Sequence, residues 1–412
     1  MRGQEWDRCI NRLCETHSLG GSEGILPPHF LRATYSKIGA QIFHTKDNDS
    51  QYWGLIMPEV TDSTPGWVVR DFWTQTQEVD KPAITDDVDK AMATSGIRNF
   101  RHYDYATKHV EIYQGRNVQR LSSGINLREP SSKEARDAQS LQQKVWSVDD
   151  PAFLYPHDLY HPEAGLATQL VAVDNDEVVG FLFGFYGHGK QWHGKDGFQQ
   201  GPWVESQLMG VDESQRRRGI GRNLKLAQRE KSLQEGLNVV HWTVDPLQFG
   251  NAFLNMNILG GVAAQHYRDY YVFRNELNKV AASRIGISWI LDSPRVVEYS
   301  KGHRSNLDFD SLASDSATEI VTPVNVEDGK VKVFPTDSWQ PEGDTILFEI
   351  PADWNRVQRD NLALAETWRN TSDDMFEKIL SPDETQYAIS GIVTNEEKGY
   401  LVIEKVDEDL GL

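Results

Sequence analysis

From Ile125 onward, apolar and polar positions fall into short strand-like runs separated by stretches of helical period. Ile125-Asn-Leu-Arg reads as a strand, and Ser131 to Trp146 as a helix in which Ala135, Leu141, Val145 and Trp146 recur at helical spacing. Leu170-Val-Ala-Val and Val178-Val-Gly-Phe-Leu-Phe-Gly-Phe predict two strands joined across the polar turn Asp174-Asn-Asp-Glu. Val204 to Val211 is a further strand, which runs through a glycine-containing turn into a helix over Ile220 to Leu233. The pattern continues with a strand at Val239 to Val244, a helix from Asn251 to Leu259 and a closing strand from Ile285 to Leu291. This order predicts an α/β (α+β) unit, a mixed sheet flanked by helices, in which ligands sit beyond strand ends where helices begin.

The flanks read differently. Near the N-terminus, Gly39 to Thr45 and Trp53 to Pro58 are strand-like runs around the polar Lys46 to Ser50, a predicted hairpin. After Pro294 an acidic, Ser-rich passage leads to Thr345-Ile-Leu-Phe-Glu-Ile-Pro, one long helix from Asp353 to Leu380, and the strands at Tyr387 and Gly399. We therefore divide the chain into an N-terminal segment, 1–121, a core, 122–296, and a C-terminal β-α-β-β region, 297–412. Because a lone hairpin is only marginally stable, the two ends are expected to combine into a second, degenerate lobe.

Composition narrows the function classes. A chain of 412 residues exceeds the ~100–200 residues of a typical domain. No apolar run reaches the ~20 residues of a membrane span, and Met1 to Gly20 is polar, so a cytoplasmic location without membrane contact is expected. Cys9 and Cys14, the only two cysteines, cannot make a disulfide framework or a four-cysteine zinc site. A formal charge of −19 repels nucleic acid, and the three arginines at 216 to 218 are too few to reverse that.

Those arginines matter in a smaller setting. In Leu208-Met-Gly-Val-Asp-Glu-Ser-Gln-Arg-Arg-Arg-Gly-Ile-Gly-Arg-Asn a strand ends, a basic turn follows, and a helix opens on Gly219 and Gly221. The first amides of a helix lack internal partners and, with the helix dipole, bind anions such as a pyrophosphate. Glycine there lets the backbone approach the phosphate.

Arg216, Gly219 and Gly221 fill the Gln/Arg-x-x-Gly-x-Gly/Ala signature at the strand-to-helix junction of the GNAT acyltransferases, which this sequence resembles. The resemblance is closer to a branch of predicted acetyltransferases, through Leu224-Lys-Leu-Ala-Gln-Arg-Glu, Trp242-Thr-Val-Asp-Pro-Leu, Asn251-Ala-Phe-Leu-Asn, Ser283-Arg284, Glu349-Ile-Pro-Ala-Asp and Ala365-Glu-Thr-Trp-Arg. It implies the GNAT fold and a cosubstrate, acetyl-CoA or another acyl-CoA such as succinyl-CoA, with no metal. Its pyrophosphate would lie on Arg216, Arg217, Arg218, Gly219, Ile220, Gly221 and Arg222, and its pantetheine along Leu208, Met209, Gly210 and Val211. Asn251 joins the cofactor set on the resemblance alone; by its place after a strand it is equally a helix N-cap. Where many relatives carry a general-acid tyrosine this chain has Met256, so Tyr267, Tyr270 or Tyr271 would protonate the leaving thiolate instead. Glu205 is the candidate base, at a strand position that in relatives faces the cleft; a salt-bridged structural glutamate is the competing reading. His188 and His193 are the reserve candidates.

Other motifs carry less. Gly189-Lys-Gln-Trp-His-Gly-Lys-Asp ends in Asp where a phosphate-binding loop needs Ser or Thr, and no helix follows. His157 and His161 have metal-pair spacing without a visible third ligand. The leading expectation is acyl transfer from acyl-CoA to a primary amine of a small molecule by direct attack, and the branch implies an amino acid. The alternatives are another CoA-thioester reaction, such as O-acylation or decarboxylation, and a non-catalytic CoA-binding module. Oligomeric state is left open.

Overall fold

The computed structural model describes residues 36–47, 50–61, 64–73, 100–104, 119–120, 124–146, 154–155, 157–160, 166–271, 278–304, 306–326, 331–334, 339–380, 386–396, 398–406 and 410–412. Cys9, Cys14, His161 and the predicted turn at Asn48 and Asp49 lie outside them. The chain divides into two compact units, Met1–Gly189 with Gln200–Leu237, and Lys190–Gln199 with Asn238–Leu412.

The first unit opens with a sheet of four strands, β1 (Gln41–Asp47), β2 (Ser50–Thr61), β3 (Thr64–Trp73) and β4 (Phe100–Asp104), paired in that order. The predicted hairpin is present in antiparallel register, with Asp47 opposite Ser50. There follow β5 (Gln119–Arg120), β6 (Asn126–Arg128), helix α1 (Ser132–Trp146), β7 (Thr168–Asp174), β8 (Glu177–Trp192), β9 (Phe198–Val211) and helix α2 (Ile220–Gln234). The strands lie in the order β9-β8-β7-β6-β5.

Both faces of this sheet are covered, which explains why β7 and β8 read as nearly continuous apolar runs rather than alternating ones. Val171, Val173, Phe181, Phe183 and Phe185 point to one face and pack with Ala135, Ala138 and Leu141 of α1 and with Tyr155 and Tyr160. Leu170, Ala172 and Leu182 point to the other and pack with Ile220 and Leu224 of α2. The ring of Phe183 meets Tyr155 and Tyr160 edge-on at 4.9 and 5.0 Å. Truncating such a buried ring costs ~3–5 kcal/mol, a large part of a domain's stability.

Local chemistry sets the ends of the elements. Asn175 and Asp176 both take left-handed conformations, φ 49° and 66°, the geometry of a tight two-residue hairpin turn between β7 and β8. At the start of α1 the Glu134 carboxylate accepts from the Ser131 amide at 2.9 Å while the Ser131 hydroxyl caps Glu134, a reciprocal capping box.

The second unit contains β10 (Val239–Val244), α3 (Phe249–Ala252), β11 (Val262–Tyr271), β12 (Ala282–Ile290), α4 (Pro294–Lys301), α5 (Phe309–Ala313) and β13 (Thr318–Val321). A small hairpin, β14 (Val324–Val326) and β15 (Val331–Val333), stands apart as its own sheet. The unit ends with β16 (Thr345–Ile350), α6 (Trp354–Asp360), α7 (Leu362–Ile379), β17 (Tyr387–Asn395) and β18 (Lys398–Lys405). Its strands run β13-β16-β18-β17-β11-β12-β10; β13 and β16 are parallel and the other neighbouring pairs antiparallel.

Two expectations change. The long helix over 353–380 is two helices, broken at Asn361, whose extended backbone and side chain cap the second through the Leu364 amide at 3.1 Å. The helix placed over 251–259 begins at Phe249 and widens at Phe253–Ile258 into a π-helical turn, so Asn251 lies within the first turn and Gln248 holds the cap position. Among the described residues no sheet joins the two chain ends: β1 to β4 pair with one another, while β17 pairs with β11. No helix among the described residues is long and apolar enough to cross a membrane.

Candidate active site

Strand β9 delivers the chain to the basic turn, and its side chains reveal how. Ser206 accepts from Lys225 of α2 at 2.7 Å, and Met209 and Val211 also pack against the α2 face. Leu208 packs against the α1 face, where a Cβ at Gly210 would meet the Phe181 ring at 2.6 Å. Ser206 and Met209 are three residues apart yet share a face, so the strict alternation of a strand slips by one residue between them. Such a slip takes a residue out of regular pairing, in the stretch where Leu208 to Val211 were expected to meet a ligand arm.

Beyond Val211, Asp212 organises the turn. Its carboxylate accepts from the Ser214 amide at 3.0 Å and hydroxyl at 2.7 Å, capping the short 3-10 turn Glu213–Gln215, and it pairs with Lys144 at 2.5 Å. The Lys144 and Ser214 bonds pull the Asp212 carboxyl down to about 2. Arg217 and Gly219 then take left-handed conformations, φ 64° and 77°, and α2 starts. Arg218 is tied to Asp174 at 2.8 Å, while Arg216 and Arg217 are exposed. Gly219 contributes no side-chain cap and no acid stands in the first turn of α2, so its positive end is uncompensated by side chains. The geometry suits an anion.

Glu205 is 2% exposed and its carboxylate lies 2.7 Å from the Lys37 ammonium, a buried pair between residues 168 positions apart that no local pattern reveals. Lys37 is held there because its turn docks on β8. The His188 amide donates to the Ile38 carbonyl at 3.2 Å, and Gly39, at φ 75°, comes so close that a Cβ would stand 2.5 Å from the His188 carbonyl oxygen. On the α2 side lies Lys225, 3% exposed, which donates to Ser206 and to Gln228. Burial pushes its ammonium well below the ordinary lysine range, with the charge of Glu205 partly opposing. Burial likewise lowers Lys37, with Glu205 opposing.

The remaining candidates belong to the second unit. Tyr267 and Tyr271 lie on β11; the Tyr267 hydroxyl donates to Gln265 at 3.0 Å, and the Tyr271 ring lies under the Arg284 guanidinium at 5.0 Å. Asn251 is exposed on α3, and Met256 is fully buried in the π-helical turn, a core residue. His188, in the first unit, packs its ring on Trp67 at 5.8 Å. Among the described residues no group of three or more His, Cys, Asp or Glu side chains is arranged to hold a metal ion.

Against known proteins, residues 134–253 match the family model described as acetyltransferase (GNAT) family. No curated protein matches. Among solved structures, yncA from Salmonella typhimurium, a putative acetyltransferase with its cofactor acetyl-CoA, is 16% identical, with 41% of this chain and 94% of that one covered and a TM-score of 0.32. The diaminobutyrate acetyltransferase EctA from Paenibacillus lautus, in complex with L-2,4-diaminobutyric acid and coenzyme A, is 16% identical over 40% of this chain and 95% of its own, at a TM-score of 0.30. Ard1 from Thermoplasma volcanium is 19% identical over 40% and 95%, at 0.29.

Proposed function

We propose that this chain, whose residues 134–253 match the GNAT acetyltransferase family model, moves an acyl group from acyl-CoA to the primary amine of a small molecule. The observation that carries this reading is the turn Arg216-Arg-Arg-Gly-Ile-Gly, which presents an uncapped helix start at the end of an irregular strand. Pyrophosphate binds the amides around Arg217 to Gly221 with Arg216 supplying charge, and the pantetheine lies along Leu208 to Val211. The donor is acetyl-CoA or succinyl-CoA, and an amino acid is the favoured acceptor.

An aliphatic amine has a pKa near ~10, so it must lose a proton before it attacks. Glu205 receives that proton directly or through water, once the incoming ammonium competes with Lys37 for its carboxylate. The amine nitrogen then forms a bond to the thioester carbonyl carbon and the carbon–sulfur bond breaks; the departing CoA thiolate takes up the second proton shed by that nitrogen, leaving the amide and free CoA thiol. Thiol release from acetyl-CoA and succinyl-CoA over a panel of amines, alcohols and amino acids tests the scheme. Amine-dependent release with the acylated amine as product is expected; release with alcohols alone, or binding of CoA without turnover on any amine, would overturn it.

A further inference from the structure

A second polar cluster lies wholly within the other compact unit, and acyl transfer as described makes no use of it. Asp245, at the end of β10, is 6% exposed, and two arginines converge on it. One of its oxygens, Oδ1, already accepts from the Leu247 amide at 2.9 Å. The other, Oδ2, therefore serves both guanidiniums, Arg369 Nη2 at 2.6 Å and Arg284 Nη1 at 3.5 Å. Although burial favours the neutral acid, the two guanidiniums hold the Asp245 carboxyl below its ordinary value.

The acceptors in this cluster are too few. Arg369 is 2% exposed, yet its Nε and Nη1 have no hydrogen-bond partner. Its guanidinium lies 5.2 Å over the ring of Trp354, whose buried Nε1 also lacks a partner. Asp373, one helical turn beyond Arg369, is committed elsewhere: it accepts from Ser283 Oγ at 2.5 Å and sits 3.1 Å from His266 Nε2. All three unsatisfied atoms of Arg369 and Trp354 are donors, and two guanidiniums face a single carboxylate. A cation is repelled here; water satisfies donors without balancing the charge; a monoanion does both. A phosphate dianion would overcompensate a surplus of one charge.

We propose that Arg284, Arg369 and Trp354 form a binding site for a small aliphatic carboxylate. The site stands independently of the acyl-transfer reading, since it is argued from this unit alone. Two sources share that chemistry: the carboxylate of an amino acid and the distal carboxylate of a dicarboxylic acyl chain.

Calorimetric titration of the full chain, without acyl-CoA, separates them with L-alanine, succinate and ethylamine as probes and inorganic phosphate as a competitor. Saturable binding of L-alanine or succinate and none of ethylamine is expected; the carboxylate that binds identifies the source. Arg284→Gln and Arg369→Lys should each weaken it by about tenfold or more, because a lysine ammonium does not reproduce the planar fork of arginine. Circular dichroism checks folding, and if the buried Arg369→Lys variant does not fold, Arg284→Gln alone decides. No saturable binding of either carboxylate, binding of phosphate in preference to both, or affinity unchanged by the folded variants would overturn the site.

Discussion

Gly219 and Gly221 occupy one turn but are glycine for different reasons. At Gly219 the left-handed φ of 77° makes any side chain strained, by ~1–2 kcal/mol, so a substitution mixes folding with binding. At Gly221 a Cβ would meet Met209 Cε at 3.6 Å, an ordinary contact, so the protein itself has room for it. Gly221→Val is therefore the cleaner probe: CoA affinity by calorimetry should fall at least about tenfold, ~1.4 kcal/mol, with Tm nearly constant. Unchanged affinity would remove the pyrophosphate from this loop. For Glu205, Gln substitution should lower kcat by roughly 10²–10⁴. It also breaks the buried ion pair with the Lys37 ammonium, at a cost of ~3–5 kcal/mol. The Glu205→Gln/Lys37→Met pair separates the two effects: stability should recover while kcat stays low. Recovery of kcat in the double variant would make Glu205 a structural partner only.

Among the elements, what was legible in the sequence was whatever one period or one cap decides. The helical spacing of Ala135, Leu141, Val145 and Trp146 marked α1, and the Arg-x-x-Gly-x-Gly turn marked the start of α2 within a residue. Features that break a period were invisible: the slip in β9, the π-helical turn at Phe253–Ile258 and the interruption at Asn361, where helical apolar spacing continues on both sides. Contacts across sequence distance were equally hidden, as with Lys37 and Glu205. Asp245, Arg284 and Arg369 did stand within quoted motifs, but nothing in their spacing showed that they meet. The turn before α2 also makes a pH prediction. Because the Asp212 carboxyl is lowered from 3.8 to about 2 in the folded chain, its contribution is present above pH 3.8 and is lost as pH falls toward 2. Wild type should therefore exceed Asp212→Asn in Tm near neutrality, and the gap should close across that acid interval. A gap of constant size down to pH 2 would show that Lys144 and Ser214 do not act through the carboxylate.

For the molecule as a whole, the chain forms two compact units, Met1–Gly189 with Gln200–Leu237 and Lys190–Gln199 with Asn238–Leu412. Residues 1–115 fall with 200–237, and 300–412 fall in the other unit. Their deletion should increase proteolysis within 200–237 and leave the cleavage pattern of 300–412 as it was, measured by limited digestion and mass spectrometry. Loss of resistance in 300–412 instead would restore the lobe built from both chain ends.

The docked turn at Lys37 bears on modularity. The stretch recognised by family, 134–253, begins almost a hundred residues after Lys37 and ends just inside the second unit. Excised on those borders, the fragment would keep Glu205 and lose its counter-ion, exposing the β8 backbone at His188 that Ile38 now covers. In this chain the borders of family likeness and the reach of the packing differ: the matched span begins at 134, while the ion pair draws in a turn almost a hundred residues earlier.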